Sequence, residues 1–85
     1  MRDYPKHVLR VYDDGSRWGL AQYAVYYRER GSRARFYQMV SMSEHPFHPQ
    51  GVGQHAEGML GRHNGKLINF ADLPADCQKL VLSEA

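Results

Sequence analysis

Four of the chain's five histidines stand at His45, His48, His55 and His63, in the spacing H-x2-H-x6-H-x7-H, with Cys77 beyond them. Imidazole nitrogens and a thiolate are ligands of zinc, which takes three or four such groups in tetrahedral geometry. The spacing matches no zinc signature, and Pro46 and Pro49 stiffen the chain beside His45 and His48 against short-range chelation. Cys77 falls on an apolar helical stripe, where free cysteine behaves as a small hydrophobe. The expectation is no metal and no other cofactor, with solvated or hydrogen-bonded histidines; a His-loop metal-binding protein is the alternative.

The same stretch, residues 43–65, holds Gly51, Gly53, Gly58, Gly61 and Gly65, five of eight glycines. Their spacing gives neither the dinucleotide fingerprint G-x-G-x-x-G nor a phosphate loop ending in Gly-Lys-Ser/Thr, so they read as turn formers. Ser41, Ser43, Glu44 and Glu57 lie near the histidines, yet no nucleophile motif surrounds either serine. A chain of 85 residues also has little room for a water-excluding pocket. It is expected not to be an enzyme.

Arginine offers a different chemistry. Arg28, Arg30, Arg33 and Arg35 crowd one short stretch, relieved only by Glu29, beside Tyr26, Tyr27 and Tyr37. Guanidinium groups pair with carboxylates and phosphates, and aromatic rings stack on bases. Arginine and tyrosine are also enriched at protein–protein hot spots. The plainer role is charge at a hairpin tip that keeps strands from pairing with other chains. The candidate partner-binding residues are Arg28, Arg30, Arg33, Arg35, Tyr26 and Tyr37, with Phe47 from the His-rich stretch.

These residues need elements to hold them. Residues 6–12 form a first strand stopped by Asp13-Asp14-Gly15, a strong turn signal. Residues 20–28 alternate, with Ala21, Tyr23, Val25 and Tyr27 on one face, and residues 34–42 answer with Phe36, Val40 and Met42. A two-residue loop at Gly31-Ser32, with glycine supplying the positive φ of a type II′ turn, would pair Tyr27 with Phe36, Tyr23 with Val40 and Ala21 with Met42. The other face, with Ala24, Tyr26, Tyr37 and Met39, is too apolar for open solvent, so it is either covered or a contact surface. Residues 43–65 lack a helix or strand period and read as a long ordered loop. A short strand over 66–70 follows, then a helix over 74–83 with Pro74 at its first position and Leu73, Cys77, Leu80 and Val81 in one stripe. The fold class is α+β: a single domain, residues 1–85, with an antiparallel sheet of three to four strands and a C-terminal helix packed on one face.

Residues 43–55, Ser-Glu-His-Pro-Phe-His-Pro-Gln-Gly-Val-Gly-Gln-His, and 65–81, Gly-Lys-Leu-Ile-Asn-Phe-Ala-Asp-Leu-Pro-Ala-Asp-Cys-Gln-Lys-Leu-Val, together resemble small uncharacterised proteins of proteobacterial genomes, prophages and plasmids. The resemblance covers residues 41–82 and assigns no role to any residue. It implies a mobile-element context, in which accessory proteins often act by binding a host machine, as anti-CRISPR proteins do; that step is analogy.

The net charge of +2 is too weak to imply or forbid nucleic acid, and it excludes a mimic of DNA built from dense negative charge. One cysteine cannot form an internal disulfide, no apolar run nears the roughly 18 residues of a membrane span, and the first seven residues lack a signal peptide's apolar segment. The expected setting is the cytoplasm, without membrane contact. The expected activity is binding and blocking a host protein or ribonucleoprotein complex. A small nucleic-acid-binding regulator using the same arginines is the alternative, and oligomeric state stays open.

Overall fold

The computed structural model describes residues 3–15, 19 and 21–84; Met1, Arg2 and Leu20, which enter the readings of the N-terminus and of the second strand's start, lie outside them. Among the described residues five antiparallel strands form one sheet: β1 (Val8–Asp13), β2 (Tyr23–Arg30), β3 (Tyr37–Met42), β4 (Gly53–Gly58) and β5 (Lys66–Leu67), in the order β4-β3-β2-β1-β5. The one α-helix among them, α1 (Ala75–Ser83), follows the sheet in the chain. This is the expected α+β class with more strands than expected.

The extra strand lies inside the stretch read as a loop. All but the last residue of β4 is exposed. An edge strand with both faces in solvent needs no hydrophobic alternation, and backbone pairing with β3, from Tyr37↔Gly58 to Met42↔Gly53, holds it. The loop is thus two shorter segments either side of β4, the second containing a 3₁₀ turn at Arg62–Asn64. The strand expected over 66–70 stops at Leu67, because Phe70–Asp72 form another 3₁₀ turn whose Asp72 carboxylate accepts from the Asn69 N–H at 3.0 Å.

The β2–β3 hairpin is shorter and its connection longer than expected. Tyr23 pairs with Met42, Val25 with Val40 and Tyr26 with Met39, a shift of two from the expected register, with an irregularity before Arg30↔Tyr37. Arg35, with φ of 70°, takes the positive-φ position assigned to Gly31, and the Gly31 N–H reaches across to the Phe36 carbonyl at 2.8 Å. A two-residue shift preserves which side chains share a face, so both expected faces survive.

On one face Val8, Val11, Val25, Tyr27, Val40 and Met42 pack against Phe70, Leu73, Cys77 and Val81, which seats α1 through its expected stripe; Leu80 is half-buried. Pro74 caps α1 rather than starting it, since its extended ψ of 152° is non-helical. The Cys77 thiol donates to the Ser43 carbonyl at 3.1 Å, and burial pushes its pKa up to about 11. The opposite face is covered: Tyr12, Tyr26 and Met39 form a second cluster with Ala24, Tyr37, Leu60 and Leu67. Gly58 permits that cover, since a Cβ there would lie 2.5 Å from the Tyr26 hydroxyl and 3.0 Å from the Met39 sulfur.

Candidate functional site

The four arginines do not form one patch. Residues 31–36 carry the chain round from β2 to β3, and the Glu57 carboxylate of β4 ties this turn down by accepting from the Ser32 N–H and hydroxyl, each at 2.9 Å. Those bonds, led by the backbone one, hold the Glu57 carboxyl below its ordinary range, with Arg33 nearby adding to the effect. On this fixed tip the Arg33 guanidinium lies 4.3 Å from the centre of the Phe36 ring. The Arg30 guanidinium lies 4.8 Å from the centre of Tyr37 and donates weakly to its hydroxyl at 3.4 Å. Stacking on a ring orders a guanidinium without neutralising it.

Arg30, Arg35 and Tyr37 line an open cleft of about 430 Å³ with Met59 and Leu60. Met59 is 42% exposed, so an apolar side chain meets solvent in a cleft that two cations also line. Met59 and Leu60 went unread in the sequence; their signal is an adjacent pair of large apolar residues in an otherwise Gly/His/Pro-rich stretch. Arg28 stands apart, its Nε donating to the Lys6 carbonyl at 2.9 Å, and lines another cleft. Phe47 is 56% exposed on the segment before β4 and lines neither arginine cleft.

Tyr26 does not belong to the surface set. Its ring is 2% exposed, because the segment after β4 lies over it, and its hydroxyl donates to Asn64 at 2.8 Å. Alternation along β2 identifies its face but not what covers that face.

A second cluster escaped the sequence entirely. Glu84, just past α1, accepts from the Tyr27 hydroxyl and bonds His55 Nε2 of β4. His7 stacks on Tyr27 with ring centres 5.4 Å apart, and its Nε2 donates to the Val81 carbonyl at 2.9 Å. Burial, and then the bond to Glu84, raise the Tyr27 pKa far above the usual phenol range. These residues surround a cleft of about 300 Å³ with Arg28, Glu29 and Gln38. They clamp the end of α1 to β2 and β4, and no sequence spacing links positions so far apart.

The histidines are dispersed. His55 is on β4, His63 is in the 3₁₀ turn, and His45 and His48 sit in a shallow cleft with Ser43 and Glu44. The Ser43 hydroxyl accepts from the Val52 N–H at 2.9 Å, which makes it part of the loop's backbone pairing. Among the described residues no three His, Cys, Asp or Glu side chains converge on a metal position, and no helix is long and apolar enough to cross a membrane. No protein-family model, curated protein or solved structure matches the chain.

Proposed function

We propose that this chain is a small non-enzymatic protein of the cytoplasm that binds an acidic surface of a protein partner through the β2–β3 tip and blocks it. The observation that carries the reading is the cleft that Arg30, stacked on Tyr37, and Arg35 line together with the exposed Met59 and the half-buried Leu60. Two guanidiniums beside an apolar floor suit a carboxylate next to a hydrophobic side chain, the combination that anchors protein interfaces. The aromatic faces also favour protein over nucleic acid: a base needs an open ring to stack on, and Arg30 and Arg33 lie over Tyr37 and Phe36. The blocking role is drawn from the resemblance of residues 41–82 to prophage and plasmid proteins, and the cytoplasmic setting from the single cysteine.

Fluorescence anisotropy against labelled Asp/Glu-rich peptides bearing one large apolar residue, beside single- and double-stranded oligonucleotides, tests the reading. Peptide binding that Arg30→Glu with Arg35→Glu weakens about tenfold or more, with an unchanged circular dichroism spectrum, supports it. Oligonucleotide binding that falls steeply with salt, by about one unit of log–log slope per phosphate contact, would replace it with the nucleic-acid reading.

A further inference from the structure

The sheet has two edges, and only one is blunted. β5 is two residues long and carries Lys66, the short, lysine-bearing form in which natural edges avoid pairing. β4 runs for six residues, Gly-Gln-His-Ala-Glu-Gly, without lysine or proline and without a cover on its outer side among the described residues. Its orientation follows from the ladder. The Ser43 N–H donates to the Val52 carbonyl at 2.8 Å in the register that continues through Ser41↔Gln54 and Met39↔Ala56. Antiparallel alternation then turns the backbone groups of Gln54, Ala56 and Gly58 toward β3. Those of Gly53, His55 and Glu57 face outward.

We propose that this edge binds a second copy of the chain, β4 against β4, antiparallel about a two-fold axis at Ala56. That register sets His55 opposite Glu57 of the second copy, and Glu57 opposite His55 of the second copy. Both are outward-facing residues, so each pair exchanges both of its N–H···O=C bonds. His55 Nε2 stays with Glu84 and Glu57 Oε1 with Ser32, so each contact is made by the second ring nitrogen, Nδ1, which donates to a carboxylate of the other copy when the imidazole is protonated, on one face of the joined sheet. On the other face Ala56 meets its own copy, and Gln54 meets Gly58 of the copy, small groups that allow close approach. Moving the register by two residues along the pair would oppose His55 to His55 and lose both complementary pairs. His55 and Glu57 are exposed although each already bonds within its own chain, to Glu84 and Ser32, so the remaining ring nitrogen and carboxylate oxygen stay within reach of a second copy. Self-complementarity of this kind is what a two-fold interface requires, and it favours a second copy over an unrelated extended peptide. The inference is independent of the arginine cleft.

Sedimentation velocity over a range of concentrations reads the association. The wild type should form a dimer, and Ala56→Glu or Ala56→Lys alone should raise its dissociation constant about tenfold or more, because like charges then face each other across the two-fold axis at an exposed position. An equimolar mixture of the two variants should recover a heterodimer, since the glutamate introduced in one chain then meets the lysine introduced in the other. Amide hydrogen exchange of the wild type needs no substitution: the N–H groups of His55 and Glu57 should gain protection as concentration rises. A wild type that stays monomeric, or outward amides that exchange freely at every concentration, would overturn the proposal, as would variants that dimerise like the wild type.

Discussion

The hydroxyl of Tyr26 donates to the Asn64 side chain at 2.8 Å, and the amide nitrogen of the same asparagine donates to the carbonyls of Met59 and Gly61, at 2.9 and 3.1 Å. One side chain therefore folds the segment after β4 onto the sheet and satisfies the phenol buried beneath it. This cover fixes Met59 and Leu60 beside the arginines. Asn64→Ala strands the Tyr26 hydroxyl and frees both carbonyls, and should cost about 1–3 kcal/mol in urea unfolding. Tyr26→Phe removes only the hydroxyl and should cost less. The double variant should cost less than the sum, as expected for contacting partners.

Leu73 is 3% exposed and seats the start of α1 against the sheet. Leu73→Ala should cost about 2–5 kcal/mol, a large share of a small domain's total stability of about 5–15 kcal/mol. A melting curve decides it: a midpoint within a degree or two of the wild type would mean that the helix contributes little to the core. The half-buried Leu80 should cost less than Leu73 when truncated.

The buried Cys77 thiol sets an alkaline limit. Its pKa stands at about 11 in the folded chain against 9.0 for an ordinary thiol. A raised folded pKa means that the unfolded chain loses its proton first, so this contribution is complete below about pH 9 and is lost as pH rises toward 11. Tyr23, Tyr26 and Tyr27 are raised from 10.0 and add in the same direction at higher pH. Denaturation midpoints between pH 8 and 10.5 should fall in the wild type, and the slope near pH 9 should be shallower in Cys77→Ala.

Glu57 acts at the acid end. Its folded pKa is lowered, chiefly by the Ser32 N–H, so its hold on the tip is complete above the ordinary carboxylate pKa of 4.5 and is lost as pH falls below it. The exchange rate of the Ser32 amide, corrected for intrinsic chemistry, should rise as pH drops through that range. In Glu57→Gln it should be fast throughout. An amide equally protected in both proteins would show that the tip holds itself.

What the sequence discloses follows from which residues are buried on one side. The α1 stripe was legible because Leu73, Cys77 and Val81 recur at helical spacing and face one core. The two faces of β2 and β3 were legible through their period of two, even though the register was not. Register depends on the turn, and Glu57, 25 residues beyond Ser32, holds that turn. β4 was illegible because a strand exposed on both faces leaves no pattern. Tyr26 was misplaced because its cover is a glycine-rich segment without a period, pinned by Asn64. The His55–Glu84–Tyr27 clamp joins distant positions, which no local spacing encodes.

We propose above that the β2–β3 tip receives an acidic protein segment. The direct measurement is a ¹H–¹⁵N correlation spectrum of the wild type, titrated with a peptide carrying several Asp or Glu residues beside one leucine. Shifts should concentrate at Arg30, Arg35, Tyr37, Met59 and Leu60, which line one cleft, and should be lost in Arg30→Glu with Arg35→Glu. Shifts that avoid these residues, or that appear there only on adding an oligonucleotide, would contradict the proposal.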